Sequence, residues 1–219
     1  MFNIPPIKII RSKRKTIALH IDQNASLVVK APQRVSLDYI HRLIEEKKEW
    51  IQQKISAMQK HTGKQYVHGE AFLYLGKSYA LQVGDYKTIM AHNTFLFFPQ
   101  VLLFRAKKEL TGWYIRQAKE IITRRVNWYA EKMKTTYAGI SFSDTRSRWG
   151  SCSVHNELQF NWRLILSPLH IIDYVVVHEL AHTIEKNHTW KFWSKVRFVL
   201  PAYKQWRKWL QEHGNKLVV

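Results

Sequence analysis

Two histidines and a glutamate form the pattern H-E-x-x-H at His178, Glu179 and His182, and His188 follows six residues later. Residues four apart on a helix lie about 40° apart around its axis and about 6 Å apart along it. Two imidazoles placed in this way can bind the same metal ion. The spacing therefore predicts a helix that carries two ligands of a metal site.

The third histidine requires this helix to end. If the helix continued, His188 would lie about 240° around the axis from His182 and about 9 Å further along it. We expect the chain to leave the helix between Ile184 and His188. Asn187 is the candidate for the C-terminal stop, because asparagine tolerates the left-handed conformation that often ends a helix. The turn would return His188 as the third ligand.

Three protein nitrogens leave zinc one open position for water, which is typical of a catalytic site rather than of a closed structural one. Glu179 is expected to act as the general base that takes a proton from this water and passes it to the leaving group. The residues predict a hydrolase with one Zn²⁺ ion, and other divalent metals such as manganese or magnesium are alternatives.

The alternative is a buried helix whose histidines are only polar groups of the core. Apolar side chains surround the three ligands on nearly all sides: Ile171, Ile172, Tyr174, Val175, Val176, Val177, Leu180, Ala181 and Ile184. A helix that is apolar all round is buried, and buried histidines need a partner. This context favours the metal site.

The composition of the 219-residue chain limits its environment. Cys152 is the single cysteine, which excludes an intramolecular disulfide and indicates a reducing compartment. The segment Met1 to Pro6 does not resemble a secretory leader, and no apolar run approaches the roughly 18 residues of a membrane span. We expect a cytoplasmic protein without membrane contact.

The balance of charges suggests an acidic partner. Against 16 Asp and Glu, the chain has 35 Lys and Arg, and its net charge is +19. Such a surface attracts polyanions, so DNA, RNA or a nucleotide is a candidate partner. The alternative is that the excess of lysine only keeps the protein soluble.

Residues 1–101 are predicted to form a β-rich domain with one helix. Three short β-forming runs, 7–10, 16–21 and 26–30, suggest an antiparallel meander. A helix follows, with Ser36 as its N-cap, an end near His61 and a break at Gly63. Four further strands are predicted at 71–75, 79–83, 88–91 and 94–98.

Residues 102–219 are predicted to form a mainly helical domain with a short antiparallel sheet. A long helix covers about 102–137, although Gly112 weakens it. Strands at 140–143 and 158–165 precede the metal helix, for which Ser167 is the expected N-cap and Pro168 the first helical position. A strand directly before that helix can hold an extended peptide along an exposed sheet edge. Two more helices follow His188.

Several segments carry a family resemblance: 148–153, 160–164, 173–182, 187–188 and 192–193, supported by 11–17, 69–70 and 74–76. In these segments the chain resembles the YgjP-like family of bacterial metal-dependent hydrolases, which is related to the SprT-like zinc peptidases. The resemblance implies an α+β fold with a zincin-type C-terminal domain and a smaller β-rich N-terminal domain. It also implies that His178, His182 and His188 bind zinc and that Glu179 is the general base. Glu185 stands where metzincins have a glycine, which favours the SprT-like pattern.

Other residues are weaker candidates for the site. Arg148 or Arg163 would stabilise a developing oxyanion or bind a phosphate, or would be a structural hydrogen-bond donor. Tyr203 would supply a phenolic donor near the metal, or pack after Pro201. Cys152 would approach the zinc as an inhibitory thiolate, or be a small buried residue in a tight turn.

Three functions remain open. The leading hypothesis is a zinc metallopeptidase, with a protein or peptide substrate that is associated with nucleic acid, because SprT-like relatives include proteases that digest proteins attached to DNA. The second is a metal-dependent nucleotide phosphohydrolase, since a metal hydroxide attacks phosphorus as well as carbon. The third is a nucleic-acid-binding module with a structural zinc, which would require a fourth protein ligand.

Overall fold

The computed structural model describes residues 7–21, 26–59, 64–145 and 147–219. The chain forms two compact units, Met1–Gly63 and Lys64–Val219. The predicted boundary after residue 101 does not coincide with this division. The reason is packing, because Phe72, Leu81 and Phe98 share one buried core with the C-terminal helices.

The first unit contains three strands and two helices. Strands β1 (Ile7–Ser12), β2 (Ala18–Ile21) and β3 (Leu27–Pro32) form a sheet in the order β1-β3-β2. β1 is parallel to β3 and β2 is antiparallel to it, so the predicted antiparallel meander is wrong for β1. The alternation of residue types identifies strands, but it does not determine which strands pair.

The predicted single helix of this unit is two helices, α1 (Leu37–Glu46) and α2 (Lys48–Gln59), because Lys47 leaves the helical conformation. The prediction of Ser36 as N-cap is confirmed, since its hydroxyl accepts a hydrogen bond from the Tyr39 amide at 3.2 Å. The predicted end near His61 and the break at Gly63 lie outside the described residues.

The second unit begins with a four-stranded sheet. Its strands are β4 (Ala71–Tyr74), β5 (Lys77–Gly84), β6 (Met90–His92) and β7 (Phe95–Pro99), in the order β4-β5-β7-β6. A 3-10 helix at Gln100–Arg105 leads into α3, which covers Ala106–Met133. Gly112 does not interrupt α3, and the helix ends at Lys134 in a left-handed conformation.

A three-stranded sheet follows, made of β8 (Gly139–Ser143), β9 (Gly150–Cys152) and β10 (Glu157–Asn161). Its order is β8-β10-β9, with β8 parallel and β9 antiparallel to β10, so the sheet is mixed and not antiparallel as predicted. The predicted strand 158–165 is wrong beyond Asn161, because the Asn161 side chain accepts from the Arg163 amide and begins a 3-10 helix, Trp162–Leu166.

Helix α4 covers Leu169–Ile184 and is followed by α5 (Trp190–Val199) and α6 (Tyr203–His213). Pro168 occupies the N-cap position of α4 and Leu169 is its first residue, so the predicted Ser167 cap is wrong. The Ser167 hydroxyl instead donates to the Leu164 carbonyl at 2.6 Å. Among the described helices, none has the length and apolar character needed to cross a membrane.

The start of α4 is held by the turn between β4 and β5. The amides of Leu75 and Gly76 donate to the carbonyls of Ile165 and Leu166 at 2.8 and 3.1 Å. Gly76 has φ +75°, and a Cβ atom at this position would lie 2.5 Å from the Pro168 ring. Glycine is therefore required both by the backbone conformation and by the close packing.

A partly buried ion pair fixes the same half of α4 to α3. Arg125 on α3 donates two hydrogen bonds to the Asp173 carboxylate, at 2.6 and 2.8 Å. Such a paired geometry restrains both position and rotation of the helix. The restraint therefore sets the directions in which His178, Glu179 and His182 project from α4.

Candidate metal centre

The last two turns of α4 carry His178, Glu179 and His182. The rings of His178 and His182 have centroids 5.0 Å apart, on one face of the helix. The helix ends at Ile184, and Glu185 is extended, with φ −134° and ψ 106°. Asn187 is not among the described residues with positive φ, so the predicted left-handed stop at Asn187 is wrong. The chain instead turns at Glu185, the extended residue that follows the helix.

This turn brings His188 back to the helix. Its Nε2 atom lies 3.1 Å from the Nε2 atoms of both His178 and His182. Two nitrogens bound to one tetrahedral zinc at 2.0–2.1 Å would be about 3.3 Å apart. The three histidines therefore fit a single metal ion in both donor type and spacing.

The hydrogen bonds of the rings support this fit. The Nδ1 atom of His182 donates to the Glu185 carbonyl at 3.2 Å, so the neutral ring carries its lone pair on Nε2. A backbone acceptor behind a ligand ring is the usual support for a metal-bound histidine. His178 Nδ1 is buried without a hydrogen-bond partner among the described residues, so this ring lacks the backbone support that His182 has.

Burial keeps these rings neutral. It lowers the pKa of His178 to about 3, with further lowering by His182, His188 and Arg207. It also lowers the pKa of His182, against the opposing effect of the hydrogen bond to Glu185. Neutral imidazole is the form that binds metal ions, so both rings are in the binding state at neutral pH.

Glu179 follows His178 directly in α4 and is only 5% exposed. Burial raises the pKa of its carboxyl to about 8, and the charge of Arg148 partly lowers it. A Cβ atom at Gly150 of β9 would lie 2.6 Å from Glu179 Oε1. Gly150 therefore makes room for the carboxylate beside the strand, and a glycine inside a strand is the sequence signal that could have indicated it.

An aromatic wall, formed by Phe192, Trp193 and Tyr203, covers the other side of the histidines. The Phe192 ring lies within 4.9 Å of all three imidazole centroids, at 4.9, 4.5 and 4.7 Å. Trp193 stacks on His188 at 5.6 Å and on Tyr203 at 5.3 Å. The sequence places Phe192 and Trp193 in a helix after His188 but does not predict their contact with the three histidines, which is a finding of the structure.

A comparison with known protein families shows to which family this chain belongs. A family model described as YgjP-like, metallopeptidase domain, matches residues 15–213. The chain belongs to the YgjP-like family. It is accordingly a metal-dependent hydrolase of the metallopeptidase type, and the family resemblance noted in the sequence is confirmed.

Other comparisons are more distant. The metallopeptidase zymogen jannalysin of Methanocaldococcus jannaschii is similar to 44% of this YgjP-like chain, over 97% of its own length, with 20% sequence identity and a TM-score of 0.38. A search of curated proteins gives no significant match.

The weaker candidates lie in different places in this YgjP-like protein. Arg148 is exposed, and its charge reaches Glu179. Arg163 pairs with Asp144 and lies 4.6 Å from the Trp162 ring, so its contacts hold the end of β10 to the residue after β8. Tyr203 is buried and reaches the histidines only through Trp193.

Cys152 lies on β9, two residues after Gly150, and is half-buried. Its thiol lies 3.8 Å from the Lys186 ammonium, and burial raises its pKa, with Glu179 adding to the rise and Lys186 opposing it. The cluster of potential ligand atoms found within the described residues consists of the three histidines and does not include Cys152.

Proposed function

We propose that the protein is a zinc-dependent peptidase in which His178, His182 and His188 bind the metal and Glu179 is the general base. The observation that carries this proposal is the position of His188, whose Nε2 atom lies 3.1 Å from the Nε2 atoms of both His178 and His182, with the buried Glu179 directly after His178 in the helix. When bound, zinc would lower the pKa of the attacking water and polarise the peptide carbonyl. The donor set of three neutral imidazoles matches the preference of zinc for nitrogen ligands.

Glu179 moves the proton. Its carboxylate takes a proton from the attacking water, and the same oxygen then gives that proton to the nitrogen of the leaving peptide. A group that does both works best with a pKa near the operating pH, and burial raises the pKa of Glu179 to about 8 in the metal-free site. Because Gly150 has no side chain, the Glu179 carboxylate can lie against β9.

Strand β9 is the candidate platform for the substrate. The strand directly before α4, β10, is central in its sheet, so the predicted exposed edge is not there. β9 pairs only with β10 in the described part of the chain, and its second edge is unpaired. An extended peptide can add to such an edge by main-chain hydrogen bonds. Gly150 would place that peptide next to Glu179.

The proposal includes a preference for substrate proteins that are bound to nucleic acid. From Lys186 to Lys208 the chain has seven Lys or Arg and no Asp or Glu. This basic segment includes the third ligand, His188, and all of α5. A substrate protein bound to DNA or RNA would be attracted to it, and the attraction would weaken with salt.

The test is cleavage of an unstructured protein by the zinc-loaded chain, with and without single-stranded DNA. Glu179→Gln should retain zinc and lose about 100- to 10,000-fold in kcat/KM, the usual contribution of general acid–base catalysis. Glu131→Gln, an exposed carboxylate on α3, is the matched control and should cleave normally. Undiminished cleavage by the zinc-loaded Glu179→Gln variant would contradict the proposal.

If protein substrates are not cleaved, the second candidate function, hydrolysis of nucleotides, is tested next. If neither condition gives cleavage, nucleoside triphosphates should be assayed with zinc, manganese and magnesium, again against Glu179→Gln. Hydrolysis of a nucleotide that depends on Glu179 would assign the same site to phosphorus chemistry.

A further inference from the structure

A basic cavity of about 330 Å³ lies between α5 and α6. It is lined by six residues: Trp193, Tyr203, Lys204, Arg207, Lys208 and Gln211. Five of these repeat along one face of α6, and every formal charge in the lining is positive. The volume is at the lower limit of pockets that hold small molecules, so it suits one side chain rather than a large ligand.

The cavity is next to the metal centre. Trp193 forms part of its lining and stacks on the ring of His188 at 5.6 Å, with an angle of 24° between the planes. The guanidinium of Arg207 lies 5.0 Å from the centroid of Trp193. A single indole ring therefore separates Arg207 from a proposed zinc ligand. An extended peptide advances about 3.3 Å per residue. A substrate side chain two or three residues from the scissile bond can therefore reach Arg207.

Two of the three cations in the lining are available to an external anion. Lys208 pairs with Glu212 at 3.8 Å. Within the described part of the chain, Arg207 and Lys204 form no ion pair with an acidic group. A guanidinium that lies over an aromatic ring loses less freedom on binding, and its N–H groups match the two oxygens of a carboxylate.

We propose that this cavity is a specificity subsite of the peptidase and that it binds the carboxylate of an Asp or Glu side chain in the substrate through Arg207 and Lys204. This inference rests on the proposed peptidase function. Arg207 binds the carboxylate in its plane, Lys204 adds a second positive charge, and Trp193 forms the apolar part of the lining. The enzyme then selects peptides with an acidic residue near the cleaved bond.

The experiment measures binding, so it does not depend on cleavage. Fluorescent peptides that carry Glu or Gln at one position, two or three residues from the centre, are titrated by anisotropy into the zinc-loaded Glu179→Gln protein. The Glu peptide should bind about 10- to 100-fold more tightly than the Gln peptide, as expected for a charge-assisted hydrogen bond. Adding Arg207→Gln should remove this preference. Arg116→Gln, an exposed cation on α3 outside the cavity and outside the basic segment, should leave it unchanged.

Two further arms identify the source of the carboxylate. Each peptide is tested with a free and with an amidated C-terminus, and a short single-stranded DNA is tested as a competitor. The proposal holds if amidated Glu peptides keep their Arg207-dependent preference. It is overturned if Glu and Gln peptides bind equally, if only a free C-terminus matters, or if only DNA binding depends on Arg207.

The same peptides are then incubated with the zinc-loaded wild-type protein. Arg207-dependent binding of Glu peptides without any cleavage would keep the subsite and reject the peptidase function. Cleavage of Glu and Gln peptides at equal rates with equal affinity would keep the peptidase function and reject the subsite.

Discussion

The two ends of helix α4 are built in different ways. The first half is buried and is fixed by the β4–β5 turn and by the Arg125–Asp173 pair. The second half ends at Ile184, which is 44% exposed, and the third histidine of the cluster, His188, is also exposed. The contrast shows two roles. The first half, the fixed end, positions the helix, and the second half, the open end, carries His178, Glu179 and His182 and leads to the exposed His188.

This division predicts two classes of variant. Substitutions at the fixed end should lower the free energy of unfolding and leave the chemistry of the folded molecules intact. Substitutions at the open end should remove metal binding or catalysis with a small effect on folding. Four substitutions test the separation, in order of decreasing expected effect.

The largest effect is expected for His188→Ala at the open end. Loss of a direct ligand should lower zinc affinity by more than about 100-fold, the upper end of the loss caused by removing a supporting group behind a ligand. Competition with a chromophoric chelator measures this affinity. His155→Ala, an exposed histidine outside the cluster, should bind zinc normally. Unfolding of the two metal-free variants should be similar, and a large loss of stability in His188→Ala alone would contradict the separation.

Gly150→Ala should come next. The added Cβ would meet Glu179 Oε1 at 2.6 Å and displace the carboxylate. A misplacement of about 1 Å can reduce a rate about 100-fold, so kcat/KM for peptide cleavage should fall by about this factor while zinc stays bound. Gly139→Ala in β8 is the control, since a Cβ atom added there would have no neighbouring atom within 4 Å. Equal activity of the two variants would show that Gly150 does not position Glu179.

Gly76→Ala tests the fixed end. Its φ of +75° strains any other residue, and the Cβ would contact the Pro168 backbone at 2.8 Å. We expect the free energy of unfolding to fall by about 2–4 kcal/mol, with kcat unchanged for the molecules that remain folded. Gly69→Ala has a similar φ of +81° but open space around it, so only the strain of about 1–2 kcal/mol applies. Equal losses, measured by urea unfolding, would exclude a contribution from the contact with Pro168.

A smaller effect concerns pH and the metal-free protein. The pKa of Glu179 is raised by burial to about 8 from an ordinary 4.5, so the folded state holds this proton more tightly than the unfolded state. Its contribution to stability is complete below pH 4.5 and is lost as the pH rises toward 8. Glu179→Gln should therefore raise the melting temperature at pH 9, by the equivalent of about 1–3 kcal/mol, and leave it unchanged at pH 4.

The control for this pH dependence is Glu131→Gln, which replaces an exposed carboxylate. Its melting temperature should follow that of the wild type at both pH values. A Glu179→Gln variant that is no more stable than the wild type at pH 9 would show that the carboxyl is not held protonated by burial.

Part of the site can be predicted from the sequence because the information is local. The spacing of His178 and His182 places them on one helical face, and the apolar residues around them indicate burial. The offset to His188 requires a turn, which the structure contains. The residue that makes the turn is not predictable in the same way, because Asn187 has the stronger local preference and the position of α5 determines where the chain bends.

Other features depend on contacts between distant segments. Gly150 and Glu179 are separated in the chain by β10 and most of α4, and only the packed structure shows why a side chain at position 150 would collide. The predicted boundary after residue 101 follows a change in composition. The strands before it nevertheless bury Phe72 and Phe98 against the later helices, a pairing that composition cannot show.

X-ray absorption at the zinc edge of the zinc-loaded protein tests the central claim most directly. The account predicts three nitrogen ligands and one oxygen ligand at about 2.0–2.2 Å, as in an open site held by the three histidines. A sulfur ligand at about 2.3 Å would place Cys152 on the metal, and four protein nitrogens would indicate a closed structural site. Either result would contradict the assignment of a catalytic zinc beside Glu179.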